Sequence, residues 1–176
     1  MSSIVHIREA LPGDEAALAH VGAATFLESF AGIIDGGDVL AHCQRQHAAE
    51  VYAGWLADGA WKIWLATVEP GEAPVGYLAF GPAELPLVDL GDGDWEVKRI
   101  YVLGRFRGGG VGCQLMELAK SEVRRRGGRR LLVGVYARNE GAIAFYRREG
   151  FVEVGEREFL VGARRYRDLV MGAGIG

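Results

Sequence analysis

Two stretches of this chain carry residues whose types and spacing could do chemistry. The first is Arg105-Phe106-Arg107-Gly108-Gly109-Gly110-Val111-Gly112, a basic glycine-rich turn after the apolar run Val97 to Leu103. Beyond it Val111, Leu115, Leu118, Ala119 and Val123 fall on one helical face, so a helix begins where the glycines end. Gly127-Gly128 stops it. The first N–H groups of a helix have no partner within it, and the dipole adds positive charge there. An anion fits that end, and Gly108, Gly109, Gly110 and Gly112 carry no Cβ to keep a phosphate from the backbone. The second stretch, Asn139 to Phe151, reads as an amphipathic helix capped by Asn139 and closed by Gly150. It holds Tyr146, a phenol able to give up a proton, while Glu96, just before the apolar run, is a carboxylate able to take one.

Other chemistries fit less well. A Walker loop needs Lys-Ser/Thr after its last glycine, and Gly112 is followed by Cys113-Gln114. A dinucleotide fingerprint belongs in the first βα unit, whereas this turn lies past mid-chain. His42, Cys43 and His47 are close in sequence, but a separation of 47 − 42 = 5 does not put ligands on one helical face, so packing roles and no metal are expected. Cys113, at a helix start where a thiol pKa tends to fall, is expected to matter through its backbone N–H. No Gly-x-Ser-x-Gly elbow is present.

The elements that must position these groups follow from periodicity and punctuation. Ile4 to Arg8 alternates like a strand, and Pro12-Gly13-Asp14 opens a helix. A second helical region runs from Val39 to about Ala57, with a break near His47-Ala48. Trp61 to Val68 and Val75 to Phe80 are strands joined at Pro70-Gly71. A long loop, Gly81 to Asp94, leads into the Glu96 strand, where alternation puts Glu96, Lys98, Ile100 and Val102 on one face. After the central helix come a strand (Leu131 to Tyr136), the Ala142 to Glu149 helix and a hairpin from Phe151 to Met171. Gly172 to Gly176 is expected to fray. This order predicts an α/β fold, a mixed, mostly antiparallel sheet of six or seven strands with helices on both faces.

With 176 residues and 49% hydrophobic composition the chain reads as a single domain, 1–176. A net charge of −3 argues against general nucleic-acid binding. Arginines cluster instead at 124–126 and 129–130, where cations suit a helix C-terminus. Cys43 and Cys113 give no disulfide framework. Met1 to Leu11 lacks a signal-peptide core and no apolar run is long enough to span a membrane, so a cytoplasmic protein with no membrane association is expected.

The spacing Arg107-x-x-Gly110-x-Gly112, followed by Asn139-x-x-Ala142-x-x-Phe145-Tyr146-x-x-x-Gly150-Phe151, resembles the two motifs of the GCN5-related N-acetyltransferase superfamily. That resemblance covers Glu96 to Phe151 well, and the remainder only by element order. It implies the acyl-CoA N-acyltransferase fold and acetyl-CoA as co-substrate. The amides of Gly108, Gly109, Gly110, Gly112 and Cys113, with Arg107, would take the pyrophosphate. The backbone of Val102 and the side chain of Asn139 would take the pantetheine arm. Glu96, 107 − 96 = 11 positions before the motif arginine, would be the base and Tyr146 the acid. Against these roles stand an ordinary Glu96–Lys98 pair and a packing role for Tyr146. Ribosomal-protein acetyltransferases carry their glutamate on the next strand, where this chain has Gly134. The expected reaction is acetyl transfer to a primary amine. The run Val97 to Leu103 before the glycine turn is similar to that of bacterial polyamine acetyltransferases, which implies a polyamine or other small cationic amine. Asp89, Asp92, Asp94 and Glu96 would suit a cation. A non-catalytic acetyl-CoA sensor is the alternative, and a nucleotide-phosphate binder a third reading. The terminal hairpin could support a homodimer.

Overall fold

A computed structural model describes residues 4–176. The elements run β1 (Val5–Glu9), α1 (Glu15–Phe30), α2 (Gly36–Gln46), α3 (Ala49–Ala57), β2 (Lys62–Val68), β3 (Ala73–Pro82), β4 (Asp94–Val102), a short 3₁₀ turn (Gly104–Phe106), α4 (Val111–Arg125), β5 (Arg130–Tyr136), α5 (Glu140–Arg148), β6 (Val152–Val161) and β7 (Arg164–Gly174). The strands form one seven-stranded sheet in the order β1-β2-β3-β4-β5-β7-β6. Only β4 and β5 pair in parallel, and every other neighbour is antiparallel. The expected mixed sheet is therefore present, and the second helical region is indeed divided at His47-Ala48.

Each face of the sheet has its own core. On one, Leu115, Met116, Ala119 and Val123 of α4 pack with Phe80, Val97 and Leu131. On the other, Leu18 and Val21 of α1 and Tyr52 of α3 cover Ile63, Leu65, Tyr77 and Ala79. Burying a large apolar side chain contributes roughly 1.5–3 kcal/mol, so the periodic faces of α1 and α4 lock both helices to the sheet. The long loop is also pinned. Leu85 is buried against Leu132 and Val170, which holds the segment before β4 across the sheet. Nor does the C-terminus fray where expected: Gly172, Ala173 and Gly174 pair with Leu132, Leu131 and Arg130, and the Ile175 N–H donates to the Arg129 carbonyl at 2.9 Å.

Two irregularities in β4 shape the molecule. Arg99 pairs with Ala79 and Val97 with Phe80, leaving Lys98 as an extra residue opposite no partner. Such a bulge bends a strand and increases its twist. It also resets the alternation: Glu96, Arg99 and Tyr101 lie toward α1 and α3, whereas Val97, Ile100 and Val102 pack on the α4 side. The single-face expectation for Glu96, Lys98, Ile100 and Val102 fails here, because pleat periodicity holds only for an unbulged strand. Secondly, β4 pairs with β5 only from Asp94 to Val97, against Arg130 to Val133. Beyond that point the two strands diverge and leave a fork.

Candidate active site

A cavity of about 980 Å³ opens from the fork, with walls from both diverging strands, the glycine turn, α5, α1, α2 and the β6-β7 hairpin. Its two halves are built differently.

The first half is mostly backbone. Gly108 and Gly110 adopt φ +81° and +82°, a left-handed conformation that side-chain-bearing residues rarely take. Gly110 caps α4, and Val111, Gly112 and Cys113 are the first three residues of that helix, so their N–H groups have no carbonyl one turn back. A Cβ at Gly108 or Gly109 would meet no protein atom within 4 Å. This is an open cradle of unpaired amides at a helix start, the kind of end that takes an anion. At the fork, the Leu103 N–H donates to the Val75 carbonyl at 2.8 Å. By antiparallel alternation Ile100 and Val102 then turn their N–H and C=O groups into the fork. An extended amide-bearing chain fits such an edge. The Val102 carbonyl, however, already accepts from Arg107 Nε at 2.8 Å, which leaves its N–H for a ligand. Arg107 also reaches the Glu28 carboxylate at 3.1 Å, and Glu28 accepts from the Gly104 N–H at 2.9 Å. The motif arginine thus brackets the end of β4 to α1.

Across the fork, Asn139 lines the cavity and its Oδ1 accepts from the Ala142 N–H at 3.1 Å, capping α5 as expected and leaving its amide NH₂ without a partner among the described residues. Tyr146 lies on the cavity wall but is 6% exposed, with Phe145 and Phe151 around it. Burial, assisted by Tyr101, raises its pKa above the ordinary phenol value, and its hydroxyl forms no hydrogen bond among the described residues. A Cβ at Gly112 would sit 3.4 Å from the Phe145 ring, so the turn packs directly on α5. The Cys113 thiol departs from expectation. The neighbouring Glu149 carboxylate, with burial second, raises its pKa.

The second half is mostly side chain. Glu96 is 3% exposed; its Oε2 accepts from the Glu84 N–H at 3.0 Å and lies 3.1 Å from Lys98 Nζ, while Oε1 has no protein partner among the described residues. Lys98 also meets Glu84 at 2.7 Å. Glu96 thus both lines the cavity and pairs with Lys98, and the pair is buried at Glu96 rather than lying on the surface. Phe26, Phe30, Tyr101, Tyr136, Phe159 and Tyr166 form an aromatic wall. Where a following-strand glutamate would project, a Cβ at Gly134 would collide with the Arg157 guanidinium, which pairs with buried Asp168 at 3.1 Å. Burial raises the Asp168 pKa against the pull of Arg157.

His42 and His47 are buried packing groups. His42 stacks on Phe26 at 4.2 Å, and His47 Nδ1 meets the Tyr52 hydroxyl at 2.8 Å. Burial and the Arg99 charge lower their pKa values to about 4 and about 2, so both rings are neutral near pH 7. Asp89, Asp92 and Asp94 do not line the cavity. Asp94 instead takes Arg129 at 3.0 Å and Arg130 at 2.7 Å at the far end of the sheet, and Asp89 takes Arg130. Two arginines of the 124–126 cluster are spent likewise. Arg125 and Arg126 bind buried Glu122 at 2.6 and 2.7 Å, and Arg126 lies 4.5 Å over Trp95.

Residues 33–151 match the model of the acetyltransferase (GNAT) family, and the chain belongs to that family. An uncharacterised N-acetyltransferase from the pepI 3' region of Lactobacillus delbrueckii subsp. lactis is 30% identical over 96 residues, 54% of this chain and 56% of that protein. Another uncharacterised N-acetyltransferase, from Mycobacterium bovis, is 34% identical over 80 residues, 46% of this chain and 51% of that one. The chain thus spans about half the length of these curated relatives. In three dimensions the whole fold is shared with the PaiA N-acetyltransferase of Thermoplasma acidophilum, solved in complex with coenzyme A. The TM-score is 0.79 at 16% identity, over 99% of each chain. No helix among the described residues is long and apolar enough to cross a membrane.

Proposed function

We propose that this chain is an N-acetyltransferase that moves the acetyl group of acetyl-CoA directly to a primary amine. The observation that carries the reading is the single cavity onto which the fork, the amide cradle, Glu96 and Tyr146 all open. Acetyl-CoA, when bound, supplies a thioester whose carbonyl carbon accepts the amine. The N–H groups of Gly108 to Cys113 would hold its pyrophosphate, and the Val102 N–H and Asn139 amide its pantetheine arm. Placing reactants in this way supplies several kcal/mol of a barrier.

An alkylamine resembles lysine, with a pKa of about 10.4, and arrives mostly protonated. Glu96 takes that proton through Oε1, while Lys98 and the Glu84 N–H hold Oε2 in place. Tyr146, which keeps its proton across the working range, donates to the departing thiolate. The acceptor is a small amine. Of the acids expected to attract a polycation only Glu96 lines the cavity, where it is paired with Lys98, and the other lining carboxylates, Glu28, Glu84 and Asp168, meet Arg107, Lys98 and Arg157.

Calorimetry with acetyl-CoA followed by a thiol-release screen over primary amines tests the reading. Micromolar binding and release with at least one amine are expected. Binding without release from any amine would overturn the enzyme reading in favour of a sensor, and no binding at all would overturn both.

A further inference from the structure

One cation on the acceptor side has no acid to answer it. Arg99 lines the cavity on the same face of β4 as Glu96. The other cations nearby are matched, Lys98 by Glu96 and Glu84, Arg157 by Asp168. Arg99 forms no salt bridge among the described residues. Its Nη1 donates to the Tyr52 hydroxyl at 2.9 Å and approaches His47 Nδ1 at 3.4 Å. Nε and Nη2 have no protein acceptor, yet His47 Nε2 is the one sealed and unpartnered side-chain polar atom among the described residues. The remaining donors of Arg99 therefore reach open space.

The group is also held rigidly. Its guanidinium carbon sits 4.7 Å over the Trp55 ring, which stacks on Trp61 at 4.2 Å and 8°. Tyr52 in turn donates to Tyr77 at 3.2 Å, and both tyrosines are fully buried. A planar fork fixed by stacking, with one edge tethered and the other free, is the arrangement that takes a carboxylate through two parallel hydrogen bonds. A merely structural arginine would have its donors used.

We infer that Arg99 binds an anionic group of the acceptor, so that the acceptor is an amine that also carries a carboxylate, held with its nitrogen toward Glu96 and its carboxylate on Arg99. Three residues of strand separate the two, about 10 Å along an extended backbone and less across the bulge. Both residues line the one cavity, so a single amino acid can meet the two. The aromatic wall suits an apolar body between the two charges. Arg99 is on this account a specificity-determining residue, and the inference rests on the N-acetyltransferase reading above.

The test uses matched primary amines, phenylalanine against 2-phenylethylamine and β-alanine against ethylamine, in the thiol-release assay with the full chain. The carboxylate-bearing member of at least one pair is expected to be favoured by about 10- to 100-fold in kcat/KM, the range of a charge-assisted bidentate contact. Arg99→Gln is expected to erase that preference by raising KM for the carboxylate-bearing member alone, and Arg99→Lys to restore part of it. 3-Phenylpropionate, which has the carboxylate and no amine, is expected to inhibit wild type competitively against the amine and Arg99→Gln at least tenfold less well; that pair of measurements needs only a folded variant, checked by thermal unfolding. Equal use of both members by wild type, or an equal loss on both in Arg99→Gln, would overturn the inference and leave the enzyme reading standing. Acetyl-CoA binding with no turnover on any amine overturns the enzyme reading, and this one with it.

Discussion

The two halves of the cavity solve different problems with different materials. The cofactor half is backbone: two left-handed glycines, the first amides of α4 and the unpaired edge of β4. Its ligand is expected to be invariant, and backbone N–H groups in a fixed turn provide the same cradle whatever the surrounding side chains. The acceptor half is side chain, with Glu96, Arg99, Arg157, Asp168 and an aromatic wall drawn from α1, β4, β5, β6 and β7. Side chains can be exchanged one at a time without moving the strand that carries them. The comparison teaches that one half of the cavity is fixed by φ angles and the other by side-chain charge, and on the proposed function these correspond to co-substrate and amine.

Breaking the backbone half is expected to have the largest effect. Gly110→Asp forces a side chain into φ +82° and puts a negative charge where an anion should sit, so acetyl-CoA binding by calorimetry is expected to fall by about 10³-fold or more, several kcal/mol of lost contact and added repulsion. Next comes Tyr146→Phe, which removes a single hydroxyl from the wall. Turnover is expected to drop about 10²-fold with the acetyl-CoA affinity nearly unchanged; full turnover at every pH would remove Tyr146 from the acid role.

A variant far from both halves sharpens the contrast. Asp94→Ala removes a side chain that is fully buried between Arg129 and Arg130, and a loss of about 2–3 kcal/mol in urea unfolding is expected, with acetyl-CoA affinity intact. The same end of the sheet sets an acid limit. Burial alone would raise the Asp94 carboxyl, but Arg130 and Arg129 hold its pKa at about 2; Arg125 and Arg126 likewise hold Glu122 at about 2. Both fall below the unfolded values, so their contribution is whole above about pH 4.5 and is lost as the pH falls toward 2. His42 and His47, neutral when folded, begin the loss earlier, below about pH 6.5, because the unfolded chain then binds the extra protons. A stability curve that stayed flat from pH 7 to pH 3 would contradict these assignments. The smallest effect is expected at Cys113→Ser. The thiol is exposed, its pKa is raised, and the turn uses only its N–H, so kcat and acetyl-CoA affinity should stay within about twofold.

How much of this was legible in the sequence follows the same division. The glycine turn, α4 and α5 are contiguous, and their punctuation by Gly108 to Gly112, Asn139 and Gly150 reads directly as cradle, cap and stop. Strand and helix order read nearly as well, because the strands are continuous apolar runs and turn residues punctuate the segments between them. The acceptor half could not be assembled that way. Tyr52, Tyr77, Arg99 and His47 meet across α3, β3, β4 and the α2-α3 break, and no spacing announces it. The bulge at Lys98 was invisible to a two-residue alternation, and with it the side of the sheet to which Ile100 and Val102 belong. The acids of the Gly81 to Asp94 loop resemble a cation trap in sequence because the arginines that take them, Arg129 and Arg130, lie at a distant strand start.

The central claim, that Glu96 draws the proton from an amine beside bound acetyl-CoA, is tested most directly by Glu96→Gln. The substitution keeps the side chain's shape and the contact from the Glu84 N–H, and removes only the charge. The account predicts unchanged acetyl-CoA affinity by calorimetry and a fall in thiol release of about 10²–10⁴-fold near neutral pH, with part of the rate returning as the pH approaches that of the free amine. Turnover equal to wild type across that range would contradict it.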